Sequence, residues 1–142
     1  MPRIERMEVN LSLATEMINA AIERARSLDI VVSAAVVDGG GNLVAFARMD
    51  DAEIAGPTLA VDKAFTAVAH RIATGELAPL VAPGGDLVGM HSNGGGRYVA
   101  FAGGLPCWDG SRVVAGIGVS GGTGEQDLAC ATAAHAVFEA AS

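Results

Sequence analysis

The sequence predicts an α+β domain in which helices pack on an antiparallel sheet. Two segments have the pattern of a strand, a tight turn and a second strand. Segments with helical spacing of apolar residues stand before, between and after them. The resulting order, α-β-β-α-β-β-α, favours an antiparallel sheet covered by helices. At 142 residues, the chain is expected to form a single domain over residues 1–142.

The first part of the chain carries one helix and one hairpin. Leu13, Met17 and neighbouring apolar residues recur at spacings of three and four, which is typical of an amphipathic helix, and Asn10 or Ser12 could cap it. A β-branched apolar run, a glycine-rich turn and an alternating segment follow. The predicted elements are a helix over residues 11–28, a strand over 30–37, a turn over 38–42 and a strand over 43–49.

The second part repeats the pattern after a loop. Pro57 fits the first position of a helix that extends to Arg71, and Asp109-Gly110 is a hairpin turn signal. Thr123 and Gln126 have the spacing of a capping box. The further predicted elements are a short helical turn over 74–81, an irregular segment over 86–96, a third strand over 98–102 that a double glycine separates from 105–108, a strand over 112–119 and a final helix from Thr123.

Composition indicates a self-associating protein and excludes several kinds of partner. Apolar residues make up 51% and aromatic residues 4%, and the mean hydropathy is +0.40, so we expect other subunits to cover apolar surface. The net charge of −7 argues against binding nucleic acid or an anionic membrane. No leader or membrane-spanning run is visible, which predicts a cytoplasmic location. Cys107 and Cys130 match no zinc or redox spacing, and Cys130 is expected to be a buried free thiol.

A glycine-rich segment links the last strand to the last helix. Gly116, Gly118 and Gly121 spell the dinucleotide fingerprint G-x-G-x-x-G, but the 21 residues after Gly121 cannot complete a βαβ unit. We therefore interpret these glycines as places of close backbone approach that end in a tight turn. The N-terminus of the following helix still offers N–H groups to an anion.

Several polar residues are candidates for one site. Lys63 has no carboxylate three or four residues before it, so it is either a site cation with a lowered pKa or a surface lysine whose stem covers apolar residues. Acids in the first turn of the last helix either act on a ligand or only favour the helix dipole. We predict catalytic roles for Lys63, His91, Glu125 and Asp127, and ligand-binding roles for Arg48, Asp50, Asn93, Gly118, Ser120, Gly121 and Gly122. One polar cavity, which a neighbouring subunit could complete, is expected to gather Arg48, Asp50, Lys63, His91, Asn93, Ser120, Gly121 and Glu125. No metal site is predicted, and His70 and His135 are expected to serve in packing or at the surface.

Five ordered motifs resemble one family. They are Val36–Asp50, Asp62–Ala67, Pro83–Gly85, Gly103–Pro106 and Gly118–Asp127. Over about residues 8–140 the chain is similar to the GlcG/HbpS-like family, which is also described as haem-binding or haem-degrading and includes the C-terminal domain of PduO-type cobalamin adenosyltransferases.

The resemblance implies a profilin-like fold and a homo-oligomer, most often an octamer built from dimers. It implies that haem is a possible cofactor and favours a binding or accessory protein for haem or another tetrapyrrole. PduO-type domains use a histidine of the first helix, and no histidine lies between Leu11 and Leu28, so ligation here would require His70 or His91. The alternative is a cofactor-independent lyase, isomerase or hydrolase that acts on a small carboxylate at or near a subunit interface.

Overall fold

The computed structural model describes residues 2–141 and confirms the predicted α+β class and the order of its main elements. The helices are α1 (Leu11–Ser27), α2 (Gly56–His70), α3 (Ala78–Val81) and α4 (Gly124–Ala140), and the strands are β1 (Ser33–Asp38), β2 (Leu43–Arg48), β3 (Gly104–Asp109) and β4 (Arg112–Ser120). Short 3-10 turns lie at Thr74–Leu77 and Met90–Ser92. Among residues 2–141, no helix is both long and apolar enough to cross a bilayer.

The four strands form one antiparallel sheet in the order β2-β1-β4-β3. Each hairpin contributes an edge strand and a central strand, and β1 pairs with β4 from Ser33 opposite Ser120 to Asp38 opposite Ala115. The C-terminal end of β4 therefore lies beside the start of β1, close to the first residues of α4.

Helices cover both faces of the sheet. Alternate strand residues such as Val36, Ile117 and Val119 enter a core formed with α1 and α4. The opposite face carries Gly116 and Gly118 beneath α2. A Cβ at Gly116 would lie 2.5 Å from the Ala64 carbonyl oxygen, and one at Gly118 would collide with α2 backbone. These glycines let α2 lie directly on the sheet, which accounts for the fingerprint-like spacing.

Two strand boundaries differ from the prediction. The first strand begins at Ser33 rather than at residue 30, and Tyr98–Ala102 is not a strand. Side chains satisfy the backbone there: Val99 N donates to Thr66 Oγ1, and Thr74 Oγ1 donates to the Phe101 carbonyl. Since α2 and the Thr74–Leu77 turn occupy the place of a neighbouring strand, the third strand begins only at Gly104.

The predicted helix caps are confirmed. The Asn10 side chain accepts from Leu13 N at the start of α1. Thr123 and Gln126 form a reciprocal capping box at the start of α4. The box fixes the first turn of α4 against the end of β4, and this junction positions the residues described next.

Candidate functional site

A buried ion pair lies where β4 meets α4. Lys63 Nζ lies 3.0 Å from Asp127 Oδ2 and donates a second hydrogen bond of 2.9 Å to the Val119 carbonyl oxygen. Only 1% of the Lys63 side chain and 5% of the Asp127 side chain are exposed. The pair joins α2, on one face of the sheet, to α4 on the other face, past the end of β4.

The surroundings of Lys63 are tight and mostly apolar. Its Nζ lies 5.1 Å from the centre of the Phe101 ring, within the range of a cation–π contact. A Cβ at Gly103 would lie 2.8 Å from Nζ, so a glycine at that position leaves room for the ammonium group. Lys63 is therefore a buried cation and not a surface lysine.

Burial and pairing act on Lys63 in opposite directions. Loss of hydration lowers the pKa of Lys63 below its ordinary value of 10.5, and the carboxylates of Asp127 and, more weakly, Glu53 oppose this decrease. A lysine with a lowered pKa next to a buried carboxylate can exchange a proton more readily than an exposed lysine. The same arrangement also serves as an internal support between helices.

The glycine turn contributes to the same cluster. Gly122 N donates to Asp127 Oδ1 at 2.8 Å, so this N–H group is already used inside the chain. Gly121 has φ +153, and a Cβ there would collide with the Val31 carbonyl, while Ser120 is buried beside Ser33. The Ser33 hydroxyl has no hydrogen-bond partner among the described residues. Lys63, Asp127 and the turn therefore lie together at this end of the sheet.

The other predicted site residues lie elsewhere, so within one chain they do not share a cavity. Arg48 and Asp50 line a hollow of about 390 Å³ near the end of β2, where Arg48 also donates to the Ala52 carbonyl. Glu125 faces a shallow groove between α1 and α4, together with Arg24. Arg48 and Asp50 lie apart because β2 is the edge strand farthest from β3. Glu125 lies apart because its side chain is on the outer side of α4.

A separate cavity of about 360 Å³ lies at the C-terminal end of α2. Asn93 lines it, and His91 is exposed in the neighbouring 3-10 turn. His70 also lines it: its Nε2 is buried and has no hydrogen-bond partner among residues 2–141, and its ring meets Tyr98 edge-on at 4.6 Å. The sequence assigned His70 to packing because no spacing signal marks an unpartnered nitrogen.

The cysteines and the remaining histidine show no sign of a shared metal site. Both thiols are buried and free, as expected for Cys130, and burial raises the pKa of Cys107 to about 12 and that of Cys130 to about 11. His135 lies 3.5 Å from Glu139 on α4. Within residues 2–141, no three His, Cys, Asp or Glu side chains converge as a metal site would require.

Residues 9–136 match the family described as "Haem degrading protein HbpS-like". The chain belongs to this family. It is 40% identical over 123 residues to the corrinoid adenosyltransferase PduO of Salmonella typhimurium. The matched region covers 87% of this chain but only 37% of that protein's length. Family membership confirms the resemblance seen in the five motifs.

Solved structures of relatives have the same fold. Klebsiella pneumoniae protein ORFY superposes with a TM-score of 0.94 at 33% identity, over 100% of this chain and 99% of that one. A structure described as a PduOC:haem complex superposes with a TM-score of 0.89 at 37% identity, over 92% of this chain and 95% of that one. Similarity of this extent covers all the elements that position the Lys63–Asp127 pair and the His70 cavity.

Proposed function

We propose that this HbpS-like protein binds haem or another tetrapyrrole and acts as a binding or accessory protein. The observation that carries the proposal is the similarity, over 92% of this chain, to a domain whose structure is described as a complex with haem. The match to a PduO corrinoid adenosyltransferase supports the broader tetrapyrrole class.

The His70 cavity fits such a group better than the other hollows of the described chain. A tetrapyrrole needs apolar walls and, where it carries iron, a neutral nitrogen as ligand. Leu87, Val88 and Tyr98 provide walls, and His70 Nε2 is a buried nitrogen to which no described residue forms a hydrogen bond. His91 lies next to Met90 in the same segment and is the alternative ligand.

This chain's residues would have distinct tasks at that site. His70 would hold the iron, Tyr98 would fix the plane of the imidazole through its edge contact, and Leu87 and Val88 would exclude water. A bound haem would supply redox and ligand-binding chemistry, which would depend on the residue that holds the iron and on the polarity of the pocket. The cavity of about 360 Å³ lies at the small end for a ligand of this size. We therefore expect a neighbouring subunit to complete it.

Haem titration with three single variants tests the proposal. We expect a saturable Soret shift with the wild-type protein, a weakened and altered spectrum with His70→Ala, and partial recovery of that spectrum on addition of free imidazole. His135→Ala is the control, because His135 lies on α4 outside the cavity. A change confined to His91→Ala would move the ligand to His91, and no Soret shift with the wild-type protein would overturn the haem proposal.

Self-association into an octamer built from dimers is part of the proposal. Large apolar side chains are exposed on the edge strand β2 and on α4, including Leu43 at 53%, Phe46 at 39% and Leu128 at 39%. Faces of this kind are typical of subunit contacts. Light scattering should give a mass near eight times 14.3 kDa, and a stable 14.3 kDa monomer at micromolar concentration would contradict it.

The Lys63–Asp127 cluster favours a second candidate, a cofactor-independent lyase, isomerase or hydrolase acting on a small carboxylate. A buried lysine with a lowered pKa beside a carboxylate is a common feature of catalytic sites. Lys63 or Arg48 would hold the anion, and His91, Glu125 or Asp127 would transfer protons, with a second subunit bringing the distant residues together. Native mass spectrometry should then detect a co-purified small acid that Lys63→Met loses, with circular dichroism used to confirm that the variant remains folded.

A further inference from the structure

A cavity of about 510 Å³ lies at the end of the sheet where the two hairpin turns meet the C-terminal end of α2. Three arginines line it from three different parts of the chain: Arg6 from the N-terminal segment, Arg71 from the end of α2 and Arg112 from the start of β4. We propose that this cavity, termed the arginine cavity, binds a small polyanion that carries phosphate or carboxylate groups. It is independent of the tetrapyrrole and carboxylate sites proposed above.

The three guanidinium groups have no internal partner. Within residues 2–141, none of them forms an ion pair or a side-chain hydrogen bond, whereas Arg26 pairs with Glu23 and Arg97 pairs with Asp62. This convergence is unexpected in a protein that has 9 basic and 16 acidic residues. All three arginines are exposed and stay protonated at all relevant pH values, so solvent screens part of their mutual repulsion and an anion between them would remove the remainder.

The carboxylate beside the glycine turn of the cavity is already occupied. Asp38 precedes the glycines that line the cavity, and its Oδ1 accepts from Gly40 N and Asn42 N, at 2.9 Å each. The Asn42 amide bonds to both oxygens of the same carboxylate. Asp38 therefore holds its own turn and is not the partner of the three arginines.

The backbone at Arg71 gives an independent indication. Arg71 follows α2 with φ 57 and ψ 43, the left-handed conformation in which glycine is the usual residue at a helix end. An arginine there is strained relative to glycine, and strained positions that keep a large polar side chain are often part of a binding site. The conformation directs the chain so that Arg71 lines the arginine cavity.

The floor of the cavity is rigid. Phe65 forms part of it, and the Arg97 guanidinium stacks on that ring at 3.6 Å while its Nε lies 3.2 Å from Asp62. A Cβ at Gly41 would lie 2.8 Å from the Phe65 ring, so the turn packs directly on the aromatic wall. A prearranged wall of this kind reduces the ordering that a ligand would have to impose.

The arrangement selects the chemical class of the ligand. Guanidinium groups bind phosphate and carboxylate oxygens through paired N–H donors, and three of them match a ligand with two or three anionic groups better than one with a single charge. The volume is sufficient for a molecule of pyrophosphate or citrate size but small for a polymer. Ligands that carry phosphate groups and ligands that carry carboxylate groups share this recognition chemistry, and titration distinguishes between them.

Calorimetric titration of the intact protein with pyrophosphate and, separately, with citrate tests this proposal. We expect saturable binding of at least one of them at low ionic strength and clear weakening when salt is raised, because screening shortens the range of exposed charges. Preference for pyrophosphate identifies a phosphate-bearing ligand and preference for citrate a polycarboxylate. Absence of saturable binding of both at millimolar concentration would overturn the proposal.

Arg71→Gly and Arg112→Gln locate the site, and Arg24→Gln is the matched control because it makes the same change in net charge on α1. We expect each cavity variant to lose at least about tenfold in affinity, since one charge-assisted contact commonly contributes that much. Arg71→Gly should keep or raise the thermal midpoint, because glycine relieves the left-handed strain. Equal weakening by Arg24→Gln would show a general charge effect and refute the site.

His70→Ala separates this proposal from the tetrapyrrole proposal. His70 does not line the arginine cavity, so the variant should bind pyrophosphate or citrate as the wild-type protein does, whatever its behaviour with haem. Loss of anion binding in His70→Ala would mean that the two cavities are one site, and the arginine cavity would then have no role of its own.

Discussion

Replacing Lys63 by methionine tests whether the buried pair supports the junction of α2 and α4. Methionine has a similar length and fills similar space, so the variant removes the charge and two hydrogen bonds without leaving a large void. Asp127 would keep its bond from Gly122 N but lose its counter-ion in a position that is 4% exposed. The variant thus isolates the electrostatic part of the interaction.

The expected cost follows from burial. Removing one partner of a buried ion pair costs about 3–5 kcal/mol, because the remaining charge is left without compensation. With a urea slope of about 2 kcal/mol per molar, the unfolding midpoint should fall by roughly 1.5–2.5 M. The exposed Arg26–Glu23 pair is the control, and Arg26→Met should cost less than about 1 kcal/mol.

The measurement is a double-mutant cycle with Lys63→Met, Asp127→Asn and the double variant, in urea at one fixed protomer concentration because assembly contributes to apparent stability. The losses in free energy of unfolding of the two single variants, added together, should exceed the loss in the double variant by at least about 1 kcal/mol. A cost of Lys63→Met no larger than that of Arg26→Met, or strict additivity, would falsify the view that the pair is a support.

Three further predictions follow from packing and burial. The stability difference between the wild-type protein and Lys63→Met should shift in favour of the wild type as pH rises through the lowered pKa of Lys63 towards 10.5, because the folded state there binds fewer protons than the unfolded state. A flat difference in denaturation curves would contradict this expectation. Gly118→Ala should destabilise the fold by about 3 kcal/mol, since its Cβ would collide with α2 backbone, whereas Gly124→Ala, with 3.5 Å of clearance, should be neutral or stabilising in thermal unfolding. Iodoacetamide should label Cys107 and Cys130 only in denaturant, because burial raises the pKa of both thiols, and rapid labelling of the native protein would oppose this.

Local sequence signals were sufficient for most of the fold. The helical spacing of α1, the turn at Asp38–Asn42 and the Thr123 capping box are all encoded within a few residues, so they could be recognised without tertiary information. The irregular structure of Tyr98–Ala102 could not be recognised in this way, because its apolar pattern is also that of a strand. Its backbone groups are satisfied by Thr66 and Thr74, about 30 residues away, and no local pattern shows such partners.

The candidate site was less predictable than the fold. Asp127 was recognised as an acid in a first helical turn, but its contact with Lys63 spans 64 positions and depends on the path of α2 across the sheet. The arginine cavity left no signal at all, since Arg6, Arg71 and Arg112 lie in unrelated segments. Sequence reasoning identified residues with reactive groups, whereas the topology determined which of them meet.

The packing of α1 beside α4 has a consequence for how the chain is made. The apolar stripe of α1, which includes Met17 and Ile18, is covered by a helix that begins at Gly124. The central strand β1 likewise pairs with β4, which is synthesised much later than β1. A ribosome that synthesises the chain from its N-terminus therefore exposes this stripe until α4 has emerged. Contacts of such long sequence separation slow folding and expose intermediates to aggregation, so the nascent chain is a natural client for chaperones.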